Sequence, residues 1–294
     1  LARGVQVRDG SLRNDGAEAD WFIDGVAIDI ARLAPAEPLR ARVRGRYVTD
    51  ALRVPFDLAL ALQRMEALAD GSPTGMGIVG RLAALGGDWR LPAHLRLSGP
   101  LRFRTDDIRV EPARVGLAGS YVSDASHLPF SLGSHGLLRF DDGTLALATQ
   151  LLVVRGLGPE ADDPIPDAMA RGSIALGDAL ALDLEGDIAQ WPAAWPELPA
   201  PLHRPRGPVA VALDYRGPTD VSGIVRLEAR KDATAFDGRF RIAAITEWLD
   251  AGLRTPLPPL DGRVDTPLLE IAGARLEGVH IEVDDPALAP AGNE

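Results

Sequence analysis

The sequence predicts an all-β protein built on a long antiparallel sheet with one apolar face, joined by one short helix near 246–253. The first observation is alternation. Leu39, Ala41 and Val43 interleave with Arg40, Arg42 and Arg44; Val209, Val211, Leu213 and Tyr215 interleave with Ala210, Ala212 and Asp214; Val279, Ile281 and Val283 interleave with His280, Glu282 and Asp284. A period of two sends successive side chains to opposite sides of a strand. The second observation is punctuation: most of these stretches stop at Gly, Asp-Gly or Pro, which supply the backbone angles of tight turns. The third is that no long window of helical period intervenes. The apolar face must be covered, and what covers it decides the function.

Taken in order, Val5 to Val7 reads as a strand, Arg8-Asp9-Gly10-Ser11 as a turn, and Trp21 to Ile30 as a second strand. Leu39 to Val48 and Phe56 to Leu62 follow, and Met65 to Ala69 is expected to form one helical turn. Short strands are expected at Leu95–Leu97, Leu101–Phe103, Ile108–Val110, Val115–Leu117, Leu137–Phe140, Leu145–Leu147 and Leu151–Val154, with turns at Ser98-Gly99-Pro100 and Asp141-Asp142-Gly143. Further strands are Ile174–Leu176, Leu180–Leu184, Val209–Tyr215, Val221–Ala229, Phe236–Ile242, Leu268–Ile271 and Leu276–Val283. The helix spans Thr246 to Leu253, with Thr246 as N-cap.

Two stretches break the rhythm. Residues 156–168 form a loop that separates a first region, 1–155, from a second, 169–285. The second contains a Pro/Trp-rich loop, 190–208, whose proline density no central strand accommodates. Residues 286–294 read as a polar tail.

Composition narrows the chemistry. Of 294 residues, 46% are apolar but only 5% aromatic, so the greasy face is aliphatic and ill suited to stacking bases or sugars. A net charge of −11 argues against a nucleic-acid partner, which requires clustered cations. The absence of cysteine removes disulfides, thiolate metal sites and a Cys nucleophile. No run of about 18 apolar residues is present to span a membrane as a helix.

Catalytic signatures dissolve on inspection. Gly75-Met76-Gly77-Ile78-Val79-Gly80 spells a dinucleotide fingerprint, but it lacks the strand-loop-helix context such a site needs and reads as a flexible inter-strand loop. His94, His127, His135, His203 and His280 lie far apart, so no metal site is expected. The pairs Asp106-Asp107, Asp141-Asp142, Asp162-Asp163 and Asp284-Asp285 read as turn residues rather than a glycosidase acid and base. Ser134-His135 lacks the context of a nucleophile elbow. No catalytic residue, cofactor or metal ligand is assigned.

Several phrases nevertheless resemble one family. Gly4 to Leu12 with its Asp-Gly, Leu39 to Tyr47, Leu95 to Phe103, and above all Phe236 to Phe240 running into Ile245-Thr246-Glu247-Trp248-Leu249, then Pro256 to Leu260, then Leu268 to Asp284, resemble the AsmA family of bacterial envelope proteins, relatives of the chorein-type bridge lipid transporters. That resemblance implies a long curved sheet forming a trough, whose inner face carries phospholipid acyl chains across the periplasm. It also implies a role in outer-membrane biogenesis. The family's N-terminal membrane helix is not in this sequence, so the chain is expected to be an internal segment, anchored in the inner membrane through parts lying outside it.

The residues expected on one continuous lipid-facing surface are Leu58, Leu60, Leu62, Leu95, Leu97, Leu101, Phe103, Leu182, Leu184, Val211, Leu213, Val225, Leu227, Phe240, Ile242, Val279, Ile281 and Val283. Trp248 is expected to plug that surface from the helix, with Ile245 and Leu249 turned inward beside it and Glu247 and Asp250 outward. Alternation alone leaves a closed β-sandwich with a structural or interaction role equally open. An outer-membrane barrel lacks its aromatic girdles and long strands here.

Overall fold

The computed structural model describes residues 4–15, 20–34, 37–49, 52–104, 107–124, 126–141, 143–159, 163–195, 207–250, 259–271, 274–285 and 288. The fold is all-β and antiparallel, and it divides into two units, Leu1–Pro159 and Glu160–Glu294.

Unit 1 is a meander of β1 (Val5–Asp15), β2 (Asp20–Ile30), β3 (Leu39–Val48), β4 (Arg53–Leu62), β5 (Thr74–Leu85), β6 (Trp89–Arg104), β7 (Asp107–Ser123), β8 (His127–Asp141) and β9 (Thr144–Gly156), with α1 (Glu66–Asp70) between β4 and β5. Within the unit, strands consecutive in sequence pair antiparallel. Helix α1 ends at Gly71, left-handed at φ 69°, and the Asp70 carboxylate accepts the Ser72 amide at 2.8 Å to start the return into β5.

Unit 2 repeats the plan with β10 (Ala168–Leu176), β11 (Leu180–Ile188), β12 (Val209–Gly217), β13 (Val225–Lys231), β14 (Thr234–Phe240), α2 (Ile242–Asp250), β15 (Leu260–Ile271) and β16 (Ala274–Val283). These strands also pair in sequence order. Where the 156–168 and 190–208 loops meet, Trp195 Nε1 donates to the Pro164 carbonyl at 2.8 Å, and Trp191 packs edge-on against Trp195 at 4.9 Å.

Several expected turns are strand interiors. Ser98-Gly99-Pro100 runs through β6 opposite Gly77, Met76 and Gly75, and Arg8 to Ser11 bends within β1, where Asp9 takes φ 57° and the register shifts twice. The expected pairs Ile108–Val110 with Val115–Leu117, and Leu145–Leu147 with Leu151–Val154, are each one strand, joined through bulges at Glu111-Pro112 and at Gln150. The glycine-rich stretch from Gly75 to Gly80 is no loop; it lies inside β5. A Cβ at Gly80 would collide with the Asp57 carbonyl across the ladder, so this glycine serves close strand approach rather than flexibility.

The second helix begins four residues earlier than expected. Strand pairing ends at Phe240, which faces Val225 and Leu260, and the chain turns into α2 at Ile242. Thr246 is therefore inside the helix and not its cap, and residues 251–253 lie outside the described ones.

Most of the fully buried apolar volume of unit 1 gathers at one end of the sheet. Leu39, Leu62, Leu101, Val110 and Ala113 form a cluster against which Met65 and Leu68 pack, and Ala67 of α1 is only 2% exposed.

Candidate functional site

In an antiparallel ladder, residues directly opposite one another project from the same face, so the registers define each face without ambiguity. In unit 1, Val43, Leu58, Gly80, Leu95, Leu117, Leu132 and Val154 form one row across seven strands. The next row contains Ile30, Ala41, Leu60, Ile78, Leu97, Val115, Ser134 and Leu152, and the one after it Leu39, Leu62 and Met76. No charged side chain occupies any of these positions. All seven residues singled out in this unit, Leu58, Leu60, Leu62, Leu95, Leu97, Leu101 and Phe103, project from this face.

Unit 2 has the same construction. Gly172, Leu184, Leu213, Leu227, Gly238, Gly262 and Val283 form a row, flanked by Ile174, Leu182, Tyr215, Val225, Phe240 and Leu260 on one side and by Val211, Ala229, Phe236, Val264 and Ile281 on the other. Val279 faces Thr266 on the same surface. Every strand residue proposed for this unit, Leu182, Leu184, Val211, Leu213, Val225, Leu227, Phe240, Val279, Ile281 and Val283, therefore shares a face. Ile242 does not: it is the first residue of α2 and is 47% exposed. Trp248 and Ile245 are half-buried and Glu247 is exposed; the side chains of Leu249 and Asp250 lie outside the described residues.

The few polar groups on these faces are satisfied locally. Ser134 and Thr149 share a hydroxyl hydrogen bond of 2.8 Å, Thr234 and Thr266 share one of 2.9 Å, and Thr74 accepts the Arg64 amide at 2.9 Å. Tyr215, 1% exposed, donates its hydroxyl to the Pro218 carbonyl at 2.7 Å. What remains is hydrocarbon. Most of the Leu, Ile and Val side chains in these rows are half-buried rather than buried, because lateral neighbours screen their flanks and leave their tips open. Among the described residues of unit 1, strands pack extensively only with their ladder neighbours; α1 is the element that lies across the face, on β6.

The opposite faces are ionic. On unit 1, Arg42 grips Asp57 through two bonds of 2.7 and 2.5 Å, Arg46 meets Asp24 at 3.0 Å, and Asp107 is held between Arg109 and Arg139. The hydrogen bond from Arg42 holds the Asp57 carboxyl below its ordinary range, and that from Arg109 does the same for Asp107. On unit 2, Arg226 bonds Asp237 at 3.1 Å, which raises its own pKa, and Arg171 pairs with Glu185 and Arg239 with Asp261.

The remaining polar residues named from the sequence are placed as follows. Ser134 and His135 point to opposite faces, and the Ser134 hydroxyl is engaged by Thr149. Asp107 and Asp141 both meet Arg139, Asp163 accepts the Ile165 amide at 3.0 Å, and His280 bonds Asp265 at 2.7 Å. His94 and His127 are exposed, and His203 lies outside the described residues. Among the described residues, no three His, Asp or Glu side chains gather to hold a metal. Alternation had pointed to the strands it recognised; Met76 and Ile78 on β5, and Leu132 on β8, were missed because neighbouring glycines masked their period.

Comparison with protein-family models, with curated proteins and with solved structures finds no match to this chain.

Proposed function

We propose that the chain is a periplasmic AsmA-like segment that binds or conducts phospholipid acyl chains along its apolar β faces, supporting outer-membrane biogenesis, and that it catalyses no reaction. One observation carries this reading. Each unit sets a wide, half-open aliphatic face against an ionic one, and among the described residues of unit 1 no second sheet covers it. Exposed apolar area of this extent needs an occupant. Acyl chains fit by chemistry alone: each methylene removed from water contributes about 0.8 kcal/mol and asks for no directional partner. The AsmA-like order of elements adds the envelope setting, with an inner-membrane anchor supplied from outside this sequence. The closed-sandwich alternative needs a second layer on the face of unit 1, and α1 covers only one end of it.

The test is mass spectrometry of protein purified without detergent. Co-purified phospholipid at a fixed ratio supports the reading. Protein that is folded, monodisperse and free of lipid, and that takes up none from vesicles, overturns it.

A further inference from the structure

The apolar face of unit 1 is not alike at its two ends. At the strand ends joined by α1, Met65, Ala67 and Leu68 cap Leu39, Leu62 and Leu101 with hydrocarbon. At the opposite strand ends stand Trp21, Tyr47, Trp89 and Tyr121, which are every Trp and Tyr that unit 1 contains. They lie on the apolar side in two ring pairs, Trp21 with Tyr47 and Trp89 with Tyr121, each with centroids 5.9 Å apart. Trp and Tyr carry an apolar body and a polar tip, so they settle where hydrocarbon gives way to water and polar groups.

Building on the acyl-chain reading, we propose that phospholipid occupies unit 1 with a defined polarity: head group and glycerol at the Trp21/Tyr47 and Trp89/Tyr121 edge, terminal methyls toward α1. Dimensions agree. From Trp89 to Leu101 the strand extends roughly 40 Å at about 3.3 Å per residue, whereas an acyl chain spans about 15 Å, half a bilayer core. A chain entering from the aromatic edge covers about five residues of β6, Trp89 to Ala93, lies on Leu91 and ends well short of α1.

The experiment uses two phosphatidylcholines, one with a nitroxide on the head group and one with it near the terminal methyl, loaded onto the intact protein from vesicles. Bound lipid is quantified by mass spectrometry, and quenching of Trp89 and Trp21 is read as the difference between the wild type and Trp89→Phe or Trp21→Phe, which keep an aromatic ring in place. Head-group label should quench these two tryptophans at least twofold more than chain-end label. Equal or reversed quenching with lipid bound overturns the polarity and leaves the acyl-chain reading standing. Absence of bound lipid overturns both. As a check independent of the tryptophans, a photoreactive residue at Leu95, on the same face of β6 just beyond Ala93, should capture chain ends, and capture of head groups there refutes the proposal.

Discussion

A cation moved by one residue along β12 should separate the two faces functionally. Leu213 is half-buried between Leu184 and Leu227 on the apolar face of unit 2, and its neighbour Ala212 lies on the other face between Glu185 and Glu228. Leu213→Arg forfeits part of a leucine's transfer energy, about 1 kcal/mol of folding stability for a half-open site. If hydrocarbon covers the site, an ionised group there costs about 2.5–3.5 kcal/mol. At 1.4 kcal/mol per tenfold that lowers lipid occupancy roughly a hundredfold. Ala212→Arg meets two carboxylates directly across the ladder, a pairing worth about 0.2–1 kcal/mol in favour of the fold, and should leave lipid untouched. Arginine is the right probe because an aspartate at 212 would face Glu185 and Glu228 as a like charge. The assay is the phospholipid-to-protein ratio of both variants after detergent-free purification, with thermal unfolding run alongside. If both variants retain lipid as the wild type does, the face assignment has no functional meaning and the acyl-chain reading fails.

Three further outcomes concern the fold. Tyr215→Phe leaves the Pro218 carbonyl and the Gly223 amide without the hydroxyl that joins them; denaturant titration should show a loss of about 1–2 kcal/mol, and an unchanged midpoint would contradict the buried bond. Gly136→Ala puts a Cβ against the Ala148 carbonyl of the paired strand and should destabilise by about 1–3 kcal/mol through overpacking, whereas the same change at Gly133, where space is open, should be nearly neutral. Asp107→Asn removes the carboxylate between Arg109 and Arg139. Because its folded pKa is depressed, the contribution is present above the ordinary carboxylate range and vanishes as pH falls through the lowered value. The variant should therefore melt below the wild type at neutral pH and alongside it in strong acid, and a deficit that persists in acid would mean packing rather than charge.

Much of this architecture was legible because strand faces are a local property. Leu182, Leu184, Val211 and Leu213 share a face once each pair is in a strand and the strands lie in sequence order, and the charged residues between them must then share the other. The errors have equally local causes. Phe240 and Ile242 continue one alternation, so nothing in the sequence marks where pairing stops and α2 begins; that point is set by the last ladder partners, Val225 and Leu260. Gly75, Gly77 and Gly80 carry no side chain from which to read a period, so β5 looked like a loop.

By itself, then, the sequence determined the all-β class and the two-faced strands, since these follow from side-chain alternation along the chain. Only the tertiary structure decided that Gly80 and Gly136 serve close strand contact, that bulges at Glu111-Pro112 and Gln150 fuse short strands into long ones, and that α1 seals one end of the unit 1 face while the Trp and Tyr pairs line the other. The physical reason is range. A strand's alternation is written between neighbours, whereas what stands over a face, and which end of it stays open, depends on residues tens of positions apart meeting across the ladder.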